Sequence, residues 1–84
     1  MIIHSPNKLA LFVQHQRKQK GLSQTDVTSK IALKQHTLSD FETRPESTKL
    51  DTLFRILSAL DLELQIVPKD QALQKERISG ADEW

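Results

Sequence analysis

There is no cysteine in this chain. Disulfides, thiol nucleophiles and thiolate metal sites are therefore excluded together, and a reducing cytoplasm fits. Glycine occurs only twice, so no Gly-rich loop is present to cradle a phosphate. The three histidines, His4, His15 and His36, lack the spacing of metal ligands, and no Ser/His/Asp arrangement suggests a triad. No catalytic residue, metal or cofactor is expected. Long apolar runs are missing too: none approaches the roughly 20 residues needed to cross a bilayer. The start, MIIHSPNK, has no secretory apolar region. A soluble cytoplasmic protein is expected.

The chain has 84 residues, enough for one domain. A chain this short buries only about 60% of the surface its unfolded form exposes, so a homodimer is the economical way to stability. The net charge of +1 conceals an asymmetry. Residues 1–49 carry eight Lys/Arg against four Asp/Glu, a balance of +4, whereas residues 50–84 carry four against seven, a balance of −3. The basic half suits a polyanion and the acidic half a different partner.

What is present is concentrated between Gly21 and Glu42, GLSQTDVTSKIALKQHTLSDFE. Ser23 is a helix cap followed three residues later by Asp26, an approximate capping box. Val27 and Ile31 share a face at i, i+4, Leu33 lies in the connection, and Leu38 and Phe41 repeat at i, i+3. Five apolar side chains can thus meet in one small core. Two short helices joined by a tight turn is the layout of a helix-turn-helix DNA reader, and an ordinary helical hairpin is the alternative. Lys34, Gln35, His36, Thr37, Ser39 and Asp40 stay outside at the start of the second of these helices, the part that enters the major groove.

Elsewhere, Ser5-Pro6 starts a first helix expected over about residues 6–20, with Leu9, Phe12, Val13 and Gln16 as its stripe and Gly21 as its stop. Arg17, Lys18 and Lys20 crowd its last turn. They complement the helix dipole there or meet phosphates, and Arg17 is counted with the DNA-contacting residues. After the loop TRPESTK, Thr48 with Asp51 marks another cap. Leu50, Leu53, Phe54, Leu57 and Leu60 then form a stripe read entirely as core. The period next changes to two: Leu62, Leu64 and Ile66 alternate with polar residues until Pro68, a half-buried strand. One strand cannot satisfy its own backbone groups; a dimer mate or the Met1-Ile2-Ile3 segment can pair with it, and a frayed extended tail after the helix is the alternative. The fold class is mainly α: a helix-turn-helix domain of four to five short helices followed by one β-strand. Residues 1–68 make the DNA-binding and dimerisation domain. Residues 69–84 make a polar tail, expected to be disordered alone apart from nascent helix over 72–78, and ending in the one tryptophan, Trp84.

The stretch RKQKGLSQTDVTSKIALKQHTLSDFE resembles the Xre/Cro-type repressor domain. Together, SPNKLALF, KQHTLSDFE, TKLDTLFRILSALDLEL and the Glu-Trp end resemble HipB-type antitoxins, autorepressors paired with a HipA-type kinase toxin. The resemblance implies a lambda-repressor-like fold whose strand pairs across a homodimer, with double-stranded, palindromic operator DNA as one partner and the kinase as another. It implies base contacts by Lys34, Gln35 and Ser39, strand pairing through Leu62, Leu64 and Ile66 across the two-fold axis, and docking of Trp84 on the toxin. The residues agree: Gln35 can fork onto adenine and Lys34 onto guanine, while Gln24 can bond a phosphate. His36 stands where the family has a smaller residue, an apolar residue is usual at Gln16, and glycine is usual at Ala32, which is strained if its φ is positive. Lys34 cannot cap by accepting a bond. A stand-alone phage-type repressor and an adaptor without DNA binding are the competing functions.

Overall fold

Ser5 opens the first helix as its sequence requires: its hydroxyl accepts from the Lys8 backbone N–H at 3.1 Å, with Pro6 in the first turn. The computed structural model describes residues 2–71 of the chain. Within them lie α1 (Pro6–Gln19), α2 (Gln24–Lys30), α3 (Gln35–Thr43) and α4 (Leu50–Ala59), with 3-10 turns at Pro45–Ser47 and Lys69–Gln71.

Three of the four helices end in one way. Gly21, Ala32 and Asp61 stand at φ of 70°, 56° and 60°, each one residue past a helix cap. The next residue turns back to bond the last turn: Leu22 N–H reaches the Arg17 carbonyl at 3.1 Å, Leu33 the Thr28 carbonyl at 3.2 Å, and Leu62 the Leu57 carbonyl at 2.8 Å. This is the Schellman closure, and the apolar residue after the left-handed one packs against the core each time. Only one of the three left-handed residues is the glycine that suffers no steric cost there.

The core is drawn from all four helices: Ala10 and Val13, Val27, Leu38 and Phe41, and Leu53, Ile56 and Leu57 with the cap residue Leu60. Ile31 and Leu33 pack against it from the turn. On α1 the buried positions are Ala10, Val13 and Arg17, while Leu9, Phe12 and Gln16 are half-buried at its edge.

Two expectations need correction. Thr48 does not cap α4: its N–H closes the 3-10 turn onto the Pro45 carbonyl at 3.0 Å, and the helix starts from Lys49 without a side-chain cap. The chain is still turning at Thr48, so the helix begins one residue later. The α4 stripe is not all core either. Leu50 is 69% and Phe54 53% exposed, while Ile56 takes the interior position. A ten-residue helix with apolar residues at both 50/54 and 53/57 carries two adjacent stripes, and this chain's core covers one of them. The strand is a separate matter, because its expected partner is a second copy. Residues 62–67 run on from α4 without β-pairing, and among the described residues neither Ile2 nor Ile3 nor any other segment pairs with them. Leu64 and Ile66 are consequently exposed. The tail expectations for residues 72–84, including Trp84, lie outside the described residues.

Candidate nucleic-acid interface

The entry to α2 is a reciprocal capping box. Asp26 N–H donates to Ser23 Oγ at 3.0 Å and Ser23 N–H to Asp26 Oδ2 at 2.9 Å. The Ser23 backbone N–H, then its hydroxyl and last the nearby Lys30 ammonium, hold the Asp26 carboxyl below the usual carboxylate range. This fixes where α2 begins. Ala32 then reverses the chain and Leu33 anchors it, which sets α3 across α2. Lys34 caps α3 with its backbone only: Thr37 N–H donates to its carbonyl at 3.0 Å, and no side chain satisfies the first turn. The start of α3 is therefore a basic end with amide groups left for an outside acceptor.

Lys34, Gln35 and His36 are exposed there, and Thr37 and Ser39 are half-buried beside them. Asp40 is exposed and pairs with neither Arg44 nor a base of α1. Gln24, half-buried at the start of α2, meets this cluster from behind: Gln35 Nε2 donates to Gln24 Oε1 at 3.2 Å.

Gln24 is held in turn by a buried centre that the sequence reading missed. Glu42 Oε1 accepts from Gln24 Nε2 at 3.0 Å, Gln14 Nε2 at 3.3 Å and Arg17 Nη2 at 3.1 Å, while its Oε2 accepts from Arg17 Nε at 2.8 Å. The four donors equal in number the roughly four lone-pair positions of a carboxylate, with three of them sharing Oε1. Arg17 Nη1 donates to the Leu22 carbonyl at 2.7 Å, which ties the end of α1 into the same group. No buried side-chain N or O among the described residues lacks a partner.

Arg17 is thus corrected as a surface DNA contact. Its side chain is 8% exposed and its partner's 1%, because position 17 continues the Ala10–Val13 stripe into the interior. That spacing was the available signal. Glu42 had a weaker one, an acidic residue directly after the core Phe41. A second feature missed in the sequence is apolar: Phe54 and Leu64 flank a groove also lined by Leu57, Ser58 and Leu62, with exposed Leu50 one turn along α4.

Among the described residues no helix is long and apolar enough to cross a membrane, and no three His/Cys/Asp/Glu gather to hold a metal.

Comparison with known proteins agrees with this arrangement. The helix-turn-helix family HTH_3 matches residues 13–67. Antitoxin HipB of Escherichia coli K12 is 35% identical over 82 residues, which span 98% of this chain and 93% of that protein. Among solved structures, a HipB-O4 20mer complex superposes with a TM-score of 0.80 at 38% identity, covering 82% of this chain and 97% of the other. A HipA-HipB-O2-O3 complex gives the same TM-score, identity and coverages.

Proposed function

Because the chain belongs to the helix-turn-helix family HTH_3 and to its HipB-type antitoxins, we propose that it works as the DNA-binding antitoxin of a HipBA-like toxin–antitoxin system. A homodimer binds a palindromic operator through α3, represses its own operon, and binds and neutralises a HipA-type serine/threonine kinase. The observation that carries the DNA half is Gln35, exposed at the start of α3 and tied to Gln24 at 3.2 Å. One N–H and the oxygen of its amide are left for a base edge. Lys34 offers an ammonium to guanine or phosphate, Ser39 and Thr37 offer hydroxyls, and His36 lies between them. Gln24 keeps a second N–H for a phosphate, which fixes register without reading sequence.

The dimer is proposed to form on the uncovered apolar side. Leu62, Leu64 and Ile66 pair as strands across the two-fold axis, and Phe54 and Leu50 extend the contact. Exposed apolar side chains and unpaired strand backbone then find their partners in one step. Two α3 helices would sit about 34–36 Å apart, one turn of duplex. Trp84 is proposed as the anchor on the kinase, since a lone aromatic on a polar tail suits a partner pocket.

Affinity capture from the native host, with the full-length protein and with a version lacking Trp84, tests the antitoxin half. A HipA-type kinase retained by the first and reduced with the second is the expected result. Retention by both moves the kinase contact to the folded dimer, and retention by neither favours a stand-alone repressor.

A further inference from the structure

We propose that Glu42 is a positioning residue for base recognition, a buried carboxylate that sets the orientation of the Gln35 amide through Gln24 and thereby selects adenine over guanine. The inference rests on the reading of Gln35 as a base contact.

With its side chain 1% exposed, Glu42 cannot touch DNA itself. Its influence comes from bond direction. An ionised carboxylate only accepts hydrogen bonds. The Gln24 amide, 3.0 Å away, must therefore turn its NH2 group inward and its oxygen outward. That oxygen also only accepts, so Gln35 must present Nε2 to it, as it does at 3.2 Å. What Gln35 has left is one N–H beside its oxygen. A donor next to an acceptor matches N7 and the N6 amino group of adenine in the major groove.

Reversal of the chain changes the base. Glutamine at position 42 would keep its oxygen at the Oε2 position for Arg17 Nε and place its NH2 group at the Oε1 position toward Gln24, where the bonds that Arg17 Nη2 and Gln14 Nε2 now donate would be lost. The Gln24 amide would then turn its oxygen inward, and Gln35 would face it with oxygen in turn. Two N–H groups would point outward, the complement of guanine O6 and N7.

Selection of binding sites from a random duplex library tests this, using wild type, Gln35→Ala, Glu42→Gln and Gln24→Glu/Glu42→Gln. The position that Gln35→Ala relaxes should be adenine in the wild-type profile. In Glu42→Gln its adenine-to-guanine preference should fall by about tenfold or more, with the other positions unchanged. A merely structural role would weaken all positions together. Gln24→Glu/Glu42→Gln puts the acceptor back in front of Gln35, so adenine should return even though a carboxylate near phosphate lowers overall affinity. Where Glu42→Gln does not fold, Arg17→Met/Glu42→Gln removes the buried cation with its partner and should show the same relaxation. Full adenine preference in either folded variant overturns the proposal. An unchanged profile for Gln35→Ala overturns the base-reading role of Gln35 itself, and the proposal with it.

Discussion

Arg17 on α1 and Glu42 on α3 are joined by two hydrogen bonds, Nε to Oε2 at 2.8 Å and Nη2 to Oε1 at 3.1 Å, with both side chains in the interior. The pair links the first helix to the end of the third, and Glu42 also holds Gln24 of α2, the residue that bonds Gln35.

Removing one partner of a buried pair leaves an uncompensated charge. Arg17→Met is expected to destabilise the fold by about 3–5 kcal/mol in urea unfolding. A change within a few tenths of a kcal/mol would mean that the cation is solvated and not structural.

The left-handed helix ends make two opposite predictions. A non-glycine residue pays about 1–2 kcal/mol in that region, and glycine loses part of the difference as chain entropy. Ala32→Gly should therefore stabilise by about 0.5–1 kcal/mol. Gly21→Ala should destabilise by about 1 kcal/mol, through backbone strain alone, since a Cβ there meets nothing within 4 Å. Urea midpoints that shift in the same direction for both would refute the shared geometry.

Acid dependence follows from Asp26. Its folded pKa lies below its unfolded value, so the stability it adds is complete above about pH 4 and is lost as the pH falls through the folded value. Asp26→Asn should lower the melting temperature at neutral pH and flatten the decline below about pH 4. Parallel acid limbs in the two proteins would assign the decline to other carboxyls.

If the uncovered apolar face is a dimer contact, Leu64→Asp and Phe54→Glu should each give folded monomers by sedimentation. The wild-type melting temperature should also rise with protein concentration. Unaltered dimers of both variants would move the interface elsewhere.

The parts of this molecule legible in its sequence are those set by neighbours a few residues apart. The Ser23–Asp26 box, the Ser5-Pro6 start, the stop at Gly21 and the uncapped Lys34 each depend on one turn of chain, whereas the positive φ of Ala32 was raised only by the family's usual glycine there. Arg17 was misread because its partner lies 25 residues away, and a basic last turn has a sufficient local explanation. Leu50 and Phe54 were misread because period alone does not say which of two apolar stripes the chain's own core will cover. The period of two over residues 62–66 is unmistakable in sequence, yet a ladder needs a second strand, which the described residues of one copy do not supply.

The central claim is that α3 reads DNA through Gln35. The most direct measurement is a titration of wild type and Gln35→Ala on the duplex preceding the protein's own coding sequence and on a scrambled duplex, each at two salt concentrations. Wild type should prefer the first by about 10³-fold or more. Gln35→Ala should lose about 1–3 kcal/mol on that duplex while keeping the scrambled affinity and the salt slope. Equal wild-type affinity for both duplexes, falling together with salt, would contradict the account.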